Sequence, residues 1–174
     1  IAQYAIRMAA FVTEKNAVLV GVSFGGVVAQ EMSSYLKLKK LIIISSIKTK
    51  FELPTKFKIA KNLKFYRLIP TRLLLISKNY SRFAFGPISR KRLKLYQDYL
   101  PIRDKRYLDW AIKNMICWNQ DKPLAGVYHI HGDNDLVFPI KNIDNVITVA
   151  GGSHIMLLTK GPQVSRKIVD IISY

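Results

Sequence analysis

The sequence has one cysteine and no long hydrophobic run. The single thiol, Cys117, excludes an intrachain disulfide and any metal cluster built from several cysteines, and it fits a reducing compartment such as the cytoplasm. Two aliphatic runs, at 41–44 and 73–76, are each four residues long, far short of the roughly 20 apolar residues that span a membrane. With 49% hydrophobic residues in a chain of 174, there are still enough apolar side chains for the core of one domain.

Acidic residues are also scarce, with 11 Asp and Glu against 28 Lys and Arg, for a formal net charge of +17. Nineteen of the basic residues but only five of the acidic ones fall between Lys48 and Lys122. Such an excess indicates either solvated helix faces or a basic surface that attracts anionic substrates or an acidic membrane. Aromatic residues are interleaved with the basic ones, but no nucleic-acid-binding motif is present. The sequence therefore does not favour a nucleic-acid partner, and it leaves contact with a membrane surface open.

Both ends of the chain alternate between short apolar runs and helical patterns, as parallel β-α-β units do. Four runs are almost wholly apolar, which is typical of strands that helices cover on both faces. These runs lie at 17–20, 41–44, 127–130 and 146–149. Helical patterns lie at 1–14, 25–38 and 162–173. The sequence therefore predicts an α/β fold with a parallel sheet and flanking helices.

The pattern changes in the middle of the chain, where prolines separate stretches rich in Lys, Arg, Leu and aromatic residues. The strongest helical pattern there covers 103–117. We predict that residues 49–121 form a helical cap inserted into an α/β core, and that the core consists of 1–48 and 122–174.

A Gly-Val-Ser-Phe-Gly pentapeptide at 21–25 joins the first apolar run to a helical pattern. A sharp turn from strand to helix exposes a serine hydroxyl at its apex, which is the nucleophile elbow. We expect glycines on both sides of Ser23, because strand and helix approach too closely there for side chains. N–H groups at the helix start would favour negative charge on a bound carbonyl oxygen. A tight turn with a capping serine is the alternative, and the strand before and helix after favour the elbow.

Two acids follow the apolar run at 127–130, at the carboxyl edge of the predicted sheet, where sites in open α/β folds assemble. Asp133 is expected to hydrogen-bond to backbone N–H groups of its own turn. Asp135 is therefore the better partner for a catalytic histidine. A cation-binding loop is the alternative, but no further acidic cluster lies nearby to complete a calcium site.

His154 follows two glycines after the last apolar run, a loop setting that suits general acid–base chemistry. His129 lies inside a predicted strand and is expected in the core or on a face of the sheet. His131 is expected to pack or to hydrogen-bond in the turn. Of the three histidines in the chain, His154 is therefore the candidate base.

Serine, acid and histidine in this chain order resemble the α/β-hydrolase superfamily, in particular its capped, esterase-like members. The resemblance extends from the elbow strand to the last helix, with 49–121 at the position of the cap. It implies that Ser23 is the nucleophile, Asp135 the orienting acid and His154 the base. It also implies that the N–H of Phe24 is one donor of the oxyanion hole. Neither a metal nor an organic cofactor is implied.

Members of that superfamily carry further strands before the elbow, and a loop after one of them supplies the second oxyanion donor. The sequence begins with Ile1 rather than methionine and contains no candidate for that donor. We therefore expect it to be the C-terminal part of a longer protein, in which case the lack of a signal peptide carries no information. The elbow strand is then expected at an edge of the sheet, and these residues alone are expected to be poorly folded or inactive.

The predicted reaction is hydrolysis of a carboxylic ester or thioester through an acyl-enzyme. The predicted cap is rich in aliphatic and aromatic residues, which favours a small-molecule substrate with an apolar group. Either pocket wall or cap core is expected for Phe57, Phe65, Tyr66, Leu73, Leu74, Phe83, Phe85 and Trp110. The alternatives are the same fold and triad acting on a carbon–carbon or amide bond or in an elimination, or a non-catalytic ligand-binding descendant.

Overall fold

The computed structural model describes residues 1–64 and 104–174. In these residues one parallel sheet has the strand order β1-β2-β3-β4. The strands are β1 (Ala17–Val22), β2 (Leu38–Ile44), β3 (Val127–Gly132) and β4 (Ile147–Val149). Val20 lies opposite Ile42, and Ile44 lies opposite Ile130, so all carboxyl ends share one edge. The predicted parallel α/β sheet is confirmed.

Helices flank the sheet, and all but the first come after a strand in the chain. They are α1 (Ala2–Ala9), α2 (Phe24–Ser33), α3 (Thr55–Asn62), α4 (Lys105–Cys117), α5 (Met156–Thr159) and α6 (Gly161–Ser173). Two 3-10 turns lie at Lys50–Glu52 and Ile140–Asn142. Within the two described ranges, none of the helices is both long and apolar enough to cross a membrane.

Two predicted helices end earlier than expected. Helix α2 ends at Ser33 rather than at residue 38, and the Ser33 hydroxyl donates to the carbonyl of Gln30 at 2.7 Å. Such a local bond competes with continuation of the helix. Helix α1 ends at Ala9 rather than near residue 14, ahead of Phe11 and Val12, whose side chains lose rotamer freedom in a helix. Residues 65–103 lie outside the described part of the chain, so the extent of the cap remains a prediction.

The sheet is covered on both faces. On one face, α1 and α2 enclose the buried side chains of Ala5, Ala9, Val28 and Met32, with Leu19 of β1 packed against them. On the other face, α6 packs Val164 and Ile171 against Ile42, Ile44 and Ile130. This arrangement explains why the runs predicted as strands are mostly apolar. Strand β3 departs from this pattern at His129 and His131.

A third apolar cluster contains residues that follow the strands. It joins Ile47, after β2, to Val27 of α2, Phe138 of the loop after β3, and Met115 and Trp118 at the end of α4. Leu53 belongs to the same cluster, so both ends of the predicted insertion pack against the core. The loops that leave the strands are thereby fixed by apolar burial as well as by backbone hydrogen bonds.

Strand β1 pairs only with β2 within the described residues. Its Val20 and Val22 side chains are 42% and 38% exposed, whereas Ile42 and Ile44 of β2 are almost fully buried. The expectation that the elbow strand lies at an edge of this sheet is confirmed.

The turn from β1 to α2 requires glycine at two positions. A Cβ on Gly21 would collide with the carbonyl oxygen of Gly25, and a Cβ on Gly26 would lie 2.5 Å from the Ser46 hydroxyl. A Cβ on Gly25 would meet nothing within 4 Å. The expectation that space demands glycine on both sides of Ser23 is therefore right for Gly21 and wrong for Gly25. The second position that requires glycine is Gly26.

We predict opposite stability effects for alanine at the two neighbouring glycines of α2. Gly26→Ala should lower the free energy of unfolding by roughly 1–3 kcal/mol, because the new methyl group overlaps Ser46. Gly25→Ala should be neutral or stabilise by up to about 1 kcal/mol, because alanine favours the helix and has open space here. Urea unfolding curves of both variants measure the difference. Equal effects of the two substitutions would contradict the predicted steric cause.

Candidate active site

Ser23 sits in an unusual backbone conformation between β1 and α2, with φ 52° and ψ −122°. A non-glycine residue adopts such angles only when its surroundings hold it there. The Ser23 N–H donates to the carbonyl of Ile44 at 2.8 Å, and the Ser23 carbonyl accepts from the Gly26 N–H at 2.9 Å. The Ser46 hydroxyl donates to the same carbonyl at 2.8 Å. These bonds hold the serine at the apex of the turn.

Asp135 is buried, with 2% of its surface exposed, in the loop after β3. Its Oδ1 accepts hydrogen bonds from the N–H groups of Val137 and Phe138, at 2.8 and 2.9 Å. Its Oδ2 lies 2.9 Å from Nδ1 of His154. Asp133 is exposed, so the local backbone N–H bonds that the sequence suggested for Asp133 occur at Asp135 instead.

The loop that carries His154 is held directly against the loop that carries Asp135. A Cβ on Gly132 would collide with the carbonyl of Gly152, so the two glycines allow the backbones to touch. The N–H of Asn134 donates to that same carbonyl at 2.9 Å. Gly151 has a φ of +66°, which lets the chain turn tightly before His154. The paired glycines thus place the histidine beside the acid.

The three predicted residues form one continuous hydrogen-bonded chain. Nε2 of His154 is 2.9 Å from the Ser23 hydroxyl, and its Nδ1 is 2.9 Å from Asp135. A carboxylate can only accept, so Nδ1 of a neutral His154 carries the proton and Nε2 offers its lone pair to Ser23. The arrangement can therefore take a proton from the serine hydroxyl and stabilise the resulting imidazolium.

Phe24 begins α2, so its N–H lies in the first turn, where it has no partner within the helix. Its ring packs edge-on against Trp110 of α4, with centroids 5.4 Å apart. Trp110 in turn packs against Tyr4 and Tyr107. Phe24, which follows Ser23, thus belongs to a cluster of four aromatic side chains.

Of the other side chains proposed for a pocket wall, Phe57 packs against Phe138, with ring centroids 6.3 Å apart. Phe138 also packs against the ring of His154, at 5.5 Å. Six of the proposed residues lie outside the described part of the chain, namely Phe65, Tyr66, Leu73, Leu74, Phe83 and Phe85. Among the described side chains, no three His, Cys, Asp or Glu groups converge to hold a metal ion.

The two remaining histidines are buried next to Asp135. His129 lies in the core, as the sequence predicted. His131 lies within strand β3 rather than in the turn that follows it, and its hydrogen bond reaches the loop beyond that turn. Nε2 of His129 lies 3.1 Å from Nδ1 of His131, and Nε2 of His131 lies 2.8 Å from the carbonyl of Phe138. Burial, together with the neighbouring His131 and Lys48, lowers the pKa of His129 to about 3. Burial also lowers the pKa of His131, against the opposing effects of the Phe138 carbonyl and Asp135.

The sequence pattern missed two contributions to this site. Ser46 supports the carbonyl of Ser23, yet a serine after a strand gives no signal of that role. Lys48 was counted with the solvated basic residues, but it is 4% exposed and its Nζ lies 3.6 Å from Glu52. It also donates to the carbonyls of Asp144 and Asn145. The basic stretch therefore starts with a buried ion pair. The bonds of Lys48 to the two carbonyls connect the chain after β2 to the turn before β4.

The sequence matches no protein-family model and no curated protein. Its structure does match solved structures. The esterase EaEST from Exiguobacterium antarcticum superposes with a TM-score of 0.65 at 15% identity, over 99% of this chain and 72% of the esterase. A Bacillus megaterium epoxide hydrolase gives 0.66 at 13% identity, over 99% and 75%. A Bacillus anthracis bromoperoxidase gives 0.62 at 17% identity, over 99% and 73%. The chain therefore has the α/β-hydrolase fold.

We predict that the buried histidines make the fold sensitive to mild acid. The unfolded chain binds a proton at each histidine near pH 6.5, whereas folded His129 binds one only near pH 3. Unfolding is therefore increasingly favoured as the pH falls below 6.5. His129 alone should remove about 2 kcal/mol of the free energy of unfolding between pH 7.5 and 5.

Urea unfolding at pH 7.5 and pH 5 measures this loss in the unmodified protein and in His129→Gln. The variant has no group that titrates at position 129, so its stability should fall by about 2 kcal/mol less over the same interval. If both proteins lose the same stability, proton uptake at His129 is not the cause.

Proposed function

We propose that the protein is a serine hydrolase that cleaves a carboxylic ester or thioester through an acyl-enzyme. The observation that carries the proposal is the continuous hydrogen-bonded chain from Ser23 through His154 to Asp135. These three residue types in these distances match the requirements for activating a serine hydroxyl. The match of the fold to an esterase structure supports the proposal, although the fold alone does not determine the reaction.

In the proposed mechanism, Nε2 of His154 takes the hydroxyl proton as Ser23 Oγ attacks the substrate carbonyl carbon. The carbonyl oxygen becomes negatively charged, and the N–H of Phe24 at the start of α2 donates to it. Asp135 stabilises the imidazolium that forms. His154 then gives its proton to the leaving alcohol or thiol, which departs and leaves Ser23 acylated. A water molecule, deprotonated by His154, then attacks the acyl carbon. As the bond between that carbon and Ser23 Oγ breaks, His154 returns the proton to Oγ and the carboxylic acid leaves.

We further propose that the substrate carries an apolar group. The aromatic side chains beside the site support this, since Phe24 packs on Trp110 and Phe138 packs on both His154 and Phe57. Apolar walls with few polar groups are typical of small-molecule sites. The insertion of 49–121 as a cap over the site belongs to the same proposal, as does contact of its basic residues with an acidic membrane surface.

Other bonds remain alternatives to an ester, because the solved structures that share this fold include an epoxide hydrolase and a bromoperoxidase. A serine activated by a histidine favours attack on an acyl carbon. A non-catalytic descendant would have no need for this geometry. An activity-directed probe separates the catalytic proposals from the non-catalytic one.

We predict that a fluorophosphonate probe labels Ser23 of the protein expressed from its complete gene, because His154 activates its hydroxyl. Mass spectrometry of the digested adduct identifies the labelled residue. Ser23→Ala and His154→Ala should both abolish labelling, whereas Ser153→Ala, which removes the serine next to His154, should leave it intact. Absence of labelling in a folded protein would favour the non-catalytic alternative.

A second prediction separates the two acids of the loop after β3. In Asp135→Asn the amide oxygen should stay on the N–H groups of Val137 and Phe138, which turns the amide NH2 toward His154. The proton of His154 then moves to Nε2, which can no longer accept from Ser23. We expect labelling and ester hydrolysis to fall by roughly 10⁴-fold.

Asp133→Asn is the matched control, because Asp133 lies two residues earlier in the same loop and is exposed. Its rates of labelling and hydrolysis should stay close to those of the unmodified protein. A large loss in Asp133→Asn together with retained activity in Asp135→Asn would show that Asp133, and not Asp135, orients His154.

A further inference from the structure

His129 and His131 project from the same face of β3, because alternate residues of a strand share a face. Both are buried, with 2% and 0% of their surfaces exposed, and their rings meet edge to face with centroids 4.9 Å apart. The proposed hydrolysis uses neither ring. Two titratable side chains in contact and almost fully removed from water call for a physical explanation.

The hydrogen bonds determine which nitrogen of each ring carries the proton. The Phe138 carbonyl can only accept, so Nε2 of His131 must donate to it. Neutral His131 then has a bare Nδ1, which accepts from Nε2–H of His129. His129 is left with a bare Nδ1, and this atom has no hydrogen-bond partner among the described residues. Each ring thus fixes the tautomer of the next.

The donating nitrogen of His131 also lies near the acid of the site. Nε2 of His131 lies 3.6 Å from Oδ2 of Asp135, the same oxygen that binds His154. The carbonyl that His131 binds belongs to Phe138, whose N–H donates to Oδ1 of Asp135. His131 therefore contacts both the carboxylate and the peptide segment that holds it.

We propose that His129 and His131 are positioning residues that hold Asp135 in register with His154. His131 fixes the loop through the Phe138 carbonyl and presents a positive N–H dipole to Oδ2. His129 keeps His131 in the tautomer that has this proton. With the other tautomer, a lone pair of Nε2 would face both the carbonyl and the carboxylate, and both contacts would become repulsive.

The proposal rests on the proposed function, since it assigns a role in supporting the Ser23, His154 and Asp135 chain. The other charged or titratable groups that act on the pair are Lys48, which follows β2, and Asp135 and His154 from the two loops. Lys48 opposes a positive charge on either ring. Asp135 and the Phe138 carbonyl favour a positive charge on His131, but desolvation is the largest effect on both rings and lowers the pKa of each. The pair therefore remains neutral, and each ring keeps one defined tautomer.

Two-dimensional NMR that correlates ring nitrogens with ring protons tests the tautomers in the unmodified protein at pH 7.5. We expect a proton on Nε2 and a bare Nδ1 in both His129 and His131. A proton on Nδ1 of either ring, or a doubly protonated ring, would overturn the proposal. This measurement needs no variant and no enzymatic activity.

Paired substitutions test the effect on Asp135. His131→Gln retains an N–H donor near the position of Nε2, whereas His131→Leu removes it and leaves the Phe138 carbonyl unpaired. His129→Gln and His129→Leu make the same comparison for the hydrogen bond that His129 donates to His131. The readout is the NMR signal of the His154 Nδ1 proton, which reports its hydrogen bond to Asp135 whether or not Ser23 reacts.

The leucine variants should broaden that proton signal or shift it toward the position of a weaker hydrogen bond, and the glutamine variants should preserve it. Fluorophosphonate labelling of Ser23 should slow by about 10-fold in His131→Leu and by less in His131→Gln. An unchanged proton signal in both leucine variants would overturn the positioning role. Failure of the unmodified protein to label would instead contradict the proposed function and leave the NMR result to decide this proposal separately.

Discussion

The rest of the site depends on the hydrogen bonds of the buried Asp135 carboxylate. One oxygen closes its own loop by accepting from Val137 and Phe138, and the other binds His154. A carboxylate removed from water needs such donors, because an unpaired charge would strongly destabilise the fold. The hydrogen bonds from Val137 and Phe138 compensate the carboxylate for the loss of water. The same bonds fix the direction in which its second oxygen points. Folding stability and orientation of the histidine have the same cause.

Close backbone contacts bring the remaining groups to this carboxylate. Gly132 and Gly152 let the acid and histidine loops touch, while Gly21 and Gly26 let α2 start directly behind β1. The strained angles of Ser23 are held by the chain after β2, through Ile44 and Ser46. The site is thus assembled from the ends of all four strands of the described sheet. Small residues at these contacts allow a precise arrangement that side chains would prevent.

The sequence predicted the sheet, and it selected three residues that the fold brings into hydrogen-bonding contact, because both leave local signals. Apolar runs reveal buried strands, and glycines beside Ser23 and His154 reveal turns. The predicted ends of α1 and α2 were wrong. The Ser33 hydroxyl bonds to the carbonyl of Gln30 at the end of α2, and Phe11 and Val12 disfavour continuation of α1. The roles of Ser46, His131 and Lys48 could not be predicted. Ser46 and Lys48 act on residues far along the chain. His131 reaches the Phe138 carbonyl and Asp135 because the loop after β3 folds back against the strand.

The fold and the atoms of the site give different information about the reaction. Solved structures with this fold include an esterase, an epoxide hydrolase and a bromoperoxidase, so strand order alone does not select a reaction. The reaction depends on which side-chain atom lies at the turn after β1 and on which histidine nitrogen lies next to that atom. Here a hydroxyl meets a ring nitrogen whose lone pair is available because Asp135 binds the proton at the opposite side of the ring. A hydroxyl activated in this way is suited to acyl transfer, which is why we propose that reaction.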